Sequence, residues 1–262
     1  VASYERAYNE RDKAQSGGHA SELQRHFLTD EAAPGIDTEL DLMRRFVPSI
    51  TVAEVGALVR EFLGEDNRVV LASSPEKDGI VVVTQAGLRD ALRAGSTAAV
   101  AAWRDEVAGR ELMAKAPAAG RVRARREIPE IGVTVLTLSN GVEVWLKPTD
   151  FRNDQVTFRA YARGGASLAS PAEFLDASLS TSLVGVAGVG GFSPIDLGKV
   201  MAGRIANASP FMDNYTHGMS GGSTPRDLEA ALQLVYLYFT APNHDAAAFD
   251  LMKSRMAANL AN

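Results

Sequence analysis

Two constellations in this chain hold residue types that could do chemistry. The first is His19, Glu22 and His26, within the run HASELQRH. Their i, i+3 and i+7 spacing lets one helical face present all three, as a metal site on a helix requires. The run is neither an inverted His-x-x-Glu-His motif nor its usual reverse, and Leu23 stands where a second histidine would be needed. Solvated helix surface is the better reading. The second constellation is Gly218-Met219-Ser220-Gly221-Gly222, which fits G-x-S-x-G. A serine nucleophile of that type sits on a strand that turns at once into a helix. Here the following helix is expected to start at Thr224, and downstream only His244 and Asp245, close by, offer partners. A glycine-rich strand end is the better reading.

Weaker signals also have plain explanations. Gly185, Gly188, Gly190 and Gly191 follow a helix rather than a strand, lack the G-x-G-x-x-G spacing and are not followed by Lys-Ser/Thr, so they read as a flexible turn between helices. Arg121, Arg123, Arg125 and Arg126 form a local basic cluster, expected to be a solvated linker that pairs with acidic surface. The chain as a whole carries 27 basic against 32 acidic residues, a net charge of −5, which argues against a general nucleic-acid binder. With no cysteine there is no disulfide, thiol nucleophile or thiolate metal site. Apolar content of 46% and charged content of 23% are ordinary for a globular protein, and no apolar run is long enough to be a transmembrane helix.

The elements that must position these residues fall into three stretches. Residues 1–74 read as mostly helical. Tyr4, Ala7, Tyr8, then Leu23 and Phe27 have helical spacing, with Gly17-Gly18 as a weak point between them. Thr51 and Glu54 form a capping-box pattern before a helix whose apolar face is Val55, Leu58, Val59 and Phe62, with Gly64 as its stop. A short buried strand is expected over RVVLAS, from Arg68 to Ser73. Residues 75–131 open with helices expected over Gln85–Ala94 and Thr97–Met113 and close as an extended linker. From Gly132 onward, Asn140-Gly141 between alternating segments predicts a hairpin with a type I′ turn. A third strand is expected over Gln155–Arg163, then a helix over Pro171–Val186, a helix after Ser193-Pro194, and a strand pair through NASPFMDNYTHGMSGG. Leu228, Ala231, Leu232, Val235 and Phe239 are the expected core stripe of the next helix, and Phe249, Met252 and Met256 come together on the last. This is an α+β pattern: a mainly antiparallel sheet with helices packed on one face, preceded by a helical segment.

The runs RDKAQS at 11–16, ITVAEVGAL at 50–58, RVVLASSPEK at 68–77, LSNGVEVWLKPTDFRND at 138–154, GGASLAS at 164–170 and DLEAALQLVYLYFTAP at 227–242 occur in a telling order. Together they resemble the pitrilysin/insulinase-type zinc peptidases. The resemblance implies similar α+β repeats grouped in two halves joined by a linker. On that template, residues 1–74 resemble the end of the second repeat, 75–131 the linker, and 132–262 the first part of a noncatalytic third repeat. In a catalytic repeat the zinc motif lies on the helix after the hairpin. Here that helix, PAEFLDASLSTSLV from Pro171 to Val184, has no histidine.

The expectation that follows is a noncatalytic central segment of a zinc-dependent peptidase, helping to form its substrate chamber. Zinc and peptide substrate would belong to the parent protein, together with its remaining repeats; no residue of this chain is assigned a catalytic, cofactor-binding or metal-binding role. The alternative is a scaffold or binding subunit of the same fold. A serine hydrolase at Ser220 is a third, weaker reading. Both ends look cut, and the resemblance implies a periplasmic parent in a Gram-negative bacterium.

Overall fold

The structure is a computed structural model that describes residues 1–62, 68–75 and 79–261, with the Ala261 side chain outside that description. The chain falls into two compact units, Arg45–Glu106 and the remainder, Val1–Arg44 with Val107–Asn262.

In the larger unit, the helices α1 (Ala2–Asn9), α2 (Ser16–Thr29) and α3 (Ile36–Phe46) come first. Gly17 and Gly18 lie in the first turn of α2 instead of dividing two helices, and the break falls at Glu10–Gln15. Polar contacts tie α1 to the loop at 152–154. Glu10 is buried, and its Oε1 accepts from the Asp154 N–H at 2.7 Å while Oε2 lies 3.8 Å from Arg152 Nη1. Asn153 Nδ2 donates to the Asn9 carbonyl at 2.9 Å. Glu5 sits 3.4 Å from both Arg44 and Arg226.

Two antiparallel sheets follow. The first has the order β1–β2–β3, with β1 at Val122–Ile128, β2 at Val133–Leu138 and β3 at Glu143–Leu146. The residues expected to cross a surface as a linker are thus a paired strand from Val122 onward. The reason is nonlocal: the apolar residues of β2 supply a ladder partner that the arginine-rich run does not announce in its own sequence. The hairpin at Asn140-Gly141 forms, but not through a type I′ turn. Only Gly141 has a positive φ, 88°, and its N–H donates to the Leu138 carbonyl at 3.0 Å. Asn140 uses its side chain instead, accepting from the Val142 N–H at 3.2 Å. This is the longer hairpin loop, in which a turn is closed by one left-handed glycine.

The second sheet has the order β4–β6–β5, with β4 at Val156–Arg163, β5 at Ala206–Met212 and β6 at Thr216–Ser223. Between β4 and β5 come α6 (Phe174–Ala187) and α7 (Pro194–Val200); α8 (Leu228–Thr240) and α9 (Ala246–Ala261) follow β6. α8 packs on β5 and β6, and α6 on β5 and α9. Met219, Ala208, Leu234, Leu237, Val189 and Phe192 make the main core beneath this sheet. The buried stripe of α8 is Ala230, Ala231, Leu234 and Leu237, while Leu232 and Phe239 of the expected stripe are 52% and 65% exposed. Leu234 and Leu237 are the α8 residues that enter the core, so the inward face runs through Ala230, Leu234 and Leu237. Helices on one face of antiparallel strands give the α+β class expected from the pattern.

In the smaller unit, α4 (Val52–Phe62) has the predicted capping box: Thr51 N–H donates to Glu54 Oε2 at 2.7 Å, and Glu54 N–H to Thr51 Oγ1 at 3.2 Å. The Gly64 stop lies outside the described residues. α5 (Gln85–Thr97) is capped by Thr84, which accepts from the Gly87 N–H at 3.1 Å. No helix forms over Thr97–Met113 beyond the end of α5. No strand forms at Arg68–Ser73 either, where Val69 and Leu71 are 82% and 90% exposed. β-propensity alone does not make a strand without a neighbour to pair with.

Asp227 joins the sheet to α8. It is buried, and its Oδ2 accepts from the Ile205 N–H at 2.8 Å and from Thr224 Oγ1 at 3.0 Å. Burial works to raise its pKa, but the Ile205 N–H, Arg226 and Thr224 together hold it below the ordinary aspartate value. Its stabilising contribution is therefore complete above the unfolded pKa, about 4, and is lost as pH falls through the lower folded value. We expect Asp227→Ala to cost about 2 kcal/mol in urea unfolding near neutral pH. Asp227→Asn should flatten the part of the acid-side stability loss that Asp227 causes.

Candidate functional site

Ser220, the candidate nucleophile, lies inside β6, not at its end. It pairs with Arg159 of β4 on one side and Ser209 of β5 on the other. The helix that would form an elbow starts only at Leu228. Because side chains alternate along a strand, Ser220 points to the solvent face while Met219 and His217 point to the helix face. His217 is engaged elsewhere: its Nδ1 accepts from the Gly165 N–H at 3.2 Å. Asp245 caps α9, accepting from the N–H groups of Ala247 and Ala248 at 2.9 and 3.1 Å. His244 is exposed on the loop before it. Among the described residues, no histidine hydrogen-bonds Ser220.

The glycines of this run answer to backbone packing. A Cβ at Gly218 would run into the Ala160 carbonyl oxygen of β4, and one at Gly221 into the Asn207 carbonyl oxygen and the Phe158 ring. A Cβ at Gly222, the second glycine of the motif, would lie 3.0 Å from the Val156 carbonyl oxygen, so the G-x-S-x-G spacing records how tightly these strands approach one another. The other glycine-rich run is likewise a folded turn. Gly188 and Gly190 have φ of 83° and 64°, and Val189 is fully buried between them. Asn243, which the sequence reading did not single out, clamps that turn. Its Oδ1 accepts from the Gly191 N–H at 2.9 Å, and its Nδ2 donates to the carbonyls of Ala187 and Phe192 at 3.0 and 2.8 Å. Its local signal, Pro-Asn after a helix, is shared by many loops.

His19, Glu22 and His26 do lie on one helix, α2, and all are at the surface. His26 Nδ1 sits 2.7 Å from the Glu31 carbonyl oxygen, which can only accept, so this nitrogen carries the proton. Among the described residues, no group of three or more His, Asp or Glu is placed to hold a metal ion. The two hollows beside named elements carry no catalytic set. One, at the α8–α9 junction, is bordered by Asn243, His244 and Asp245; the other lies between α1 and Arg152.

The β5–β6 hairpin offers an extended peptide little to pair with. Only β5 has a free edge, since β6 is paired on both sides. Pro210 interrupts the backbone donors of β5. Opposite the core, the sheet shows Arg159, Tyr161 and Arg163 of β4 beside Ser220 of β6 and Phe211 of β5. Arg159 stacks 4.3 Å from the Phe211 ring centroid and pairs with Asp213 at 3.3 Å.

This geometry, a histidine-free α6 ahead of a glycine-bearing central strand, can be set beside known proteins. No family model matches the chain. It is 29% identical over 240 residues to a zinc protease PQQL-like protein of Arabidopsis thaliana, covering 92% of this chain and 23% of that one. The chain thus resembles a zinc protease of the pitrilysin/insulinase type over 92% of its length. The fold of the periplasmic protease PqqL from Escherichia coli aligns with a TM-score of 0.54 at 16% identity, covering 98% of this chain and 28% of that protein. A mutant of the ferredoxin protease FusC, in complex with Arabidopsis ferredoxin, gives a TM-score of 0.47 at 17% identity, covering 93% of this chain and 27% of that one. The chain spans about a quarter of the length of the relatives it matches. The residues it presents do not fit a family zinc centre: α6 carries no histidine, and His19, Glu22 and His26 lie on a different, surface helix.

A paired, structural Ser220 predicts a specific contrast. Ser220→Ala should change stability by less than about 0.5 kcal/mol, and Gly218→Ala should destabilise by about 2–4 kcal/mol because the added Cβ meets backbone. A fluorophosphonate probe should leave the wild-type chain unlabelled in gel fluorescence.

Proposed function

We propose that this chain is a noncatalytic central segment of a zinc-dependent peptidase, where it forms part of the chamber that holds peptide substrates. The observation that supports it most is α6. In the position where a catalytic repeat of this family would present zinc ligands, after the hairpin and the third strand, the helix is FLDASLSTSLVGVA. The order of the family signatures is kept while the chemistry is not. On this reading, zinc-bound water and its carboxylate base belong to another repeat of the parent, and residues 132–262 line a wall. Residues 1–74 close a preceding repeat, and 75–131 join the two.

Exposed apolar surface supports a place within a larger chain. Val55, Leu58, Val59 and Phe62 of α4 are 49–81% exposed, and Leu232 and Phe239 of α8 are also uncovered. Surface of this kind is expected where further protein packs. Among the described residues no helix is long and apolar enough to cross a membrane. A periplasmic setting is proposed from the family alone.

The test uses the chain and its parent side by side. The purified chain should bind no stoichiometric zinc by inductively coupled plasma mass spectrometry and should cleave no quenched fluorescent peptide. The parent should cleave it, and chelation should abolish cleavage. Chelator-sensitive cleavage by the chain alone would overturn the proposal; a parent that binds no zinc and cleaves nothing would favour a scaffold.

A further inference from the structure

We propose that the free edge of β1 is a docking site for an extended, acidic peptide, which adds to the sheet as a further strand. β1 lies at the end of the order β1–β2–β3 and pairs only with β2. In an antiparallel pair, alternate residues turn their N–H and C=O groups away from the partner strand, so one row of β1 backbone groups is offered outward. Burial does not close that edge, for every residue from Val122 to Glu127 is exposed. The strand contains no proline between Val122 and Ile128, unlike β5, so proline removes none of its outward donors, and its pairing is regular from Ala124 to Ile128, with a register shift at Arg123.

Charge selects the occupant. Arg121, Arg123, Arg125 and Arg126 fall within or beside β1, on a chain whose net charge is −5. Arg125 is paired with Glu127 at 2.8 Å, and Arg126 lies 5.3 Å from the Trp145 ring centroid. Arg121 and Arg123 make no ion pair among the described residues. A second copy of β1 laid antiparallel along this edge would bring arginines together, which is unfavourable across a strand pair. Nor do the other strands offer an acidic face, since Glu143 of β3 is the one carboxylate among β2 to β6. The complementary strand is therefore a different chain with Asp or Glu at alternating positions. Its main chain would supply pairing and its carboxylates would meet Arg121 and Arg123. This site is independent of the peptidase reading and needs no zinc.

The probe is a short capped peptide of alternating glutamate and threonine, titrated into the full chain and followed by amide NMR shifts and hydrogen exchange. Binding should shift and protect the β1 amides. Arg121→Glu with Arg123→Glu should weaken it by about tenfold, the product of two cross-strand charge contacts, and should turn the preference toward the lysine–threonine counterpart. A peptide N-methylated along its pairing edge should not bind the wild-type chain, a control that does not depend on any variant folding. Equal binding of the acidic and lysine peptides would overturn the proposal. So would undiminished binding of the N-methylated peptide, β1 shifts that are absent, or a single-stranded oligonucleotide that outcompetes the acidic peptide.

Discussion

β6 is hydrogen-bonded along both edges, to β4 and to β5, and the rest of the larger unit depends on that double pairing. Two of its glycines let neighbouring backbone come closer than a Cβ would permit. Alternation then does the rest. Met219, 2% exposed, is driven into the helices, and Ser220 faces the other way. α8 is placed by the same strand, because in the segment leaving β6 the Asp227 carboxylate accepts from the Ile205 N–H and from the Thr224 hydroxyl, and the Thr224 N–H donates to the Ile205 carbonyl. The residues that first suggest a nucleophile are thus held by the requirements of a tightly approached central strand.

Much of the fold was legible because it is written in local signals. Thr51 with Glu54, Ser193 before Pro194, and the Asn140-Gly141 hairpin each mark a chain reversal or helix start with side-chain chemistry that acts within a few residues. The misread elements depended on distant partners. Val122–Ile128 reads as a charged linker until β2 supplies its ladder, and Arg68–Ser73 reads as a strand although no partner accepts it. The inward face of α8 is set by Leu234 and Leu237, which share a core with Met219, Val189 and Phe192 from distant elements. Leu23 within HASELQRH and the absence of histidine from the helix after the hairpin are read directly from the sequence. Asn243 was not legible, since its three hydrogen bonds reach a turn more than fifty residues away.

On the proposed reading, a family likeness and a helix without zinc ligands are compatible, because repeats are parts with separate duties. A catalytic repeat must place ligands on a helix and keep water at an open coordination position. A repeat relieved of that duty needs only the sheet, its supporting helices and a solvent face of suitable shape. Here the sheet face carries Arg159, Tyr161, Arg163 and Phe211, side chains suited to contact rather than to proton transfer or metal binding. The helix face is committed to Met219, Leu234, Leu237 and Phe192.

Amide hydrogen exchange of β6 tests the central claim, that this strand is scaffold and not a catalytic element. If it is, the amides of His217 to Gly222 should be among the slowest to exchange, should do so only through global unfolding, and should be unchanged by zinc or chelator. Exchange of those amides as fast as that of the exposed α2 helix, or protection that appears only when zinc is added, would contradict the account.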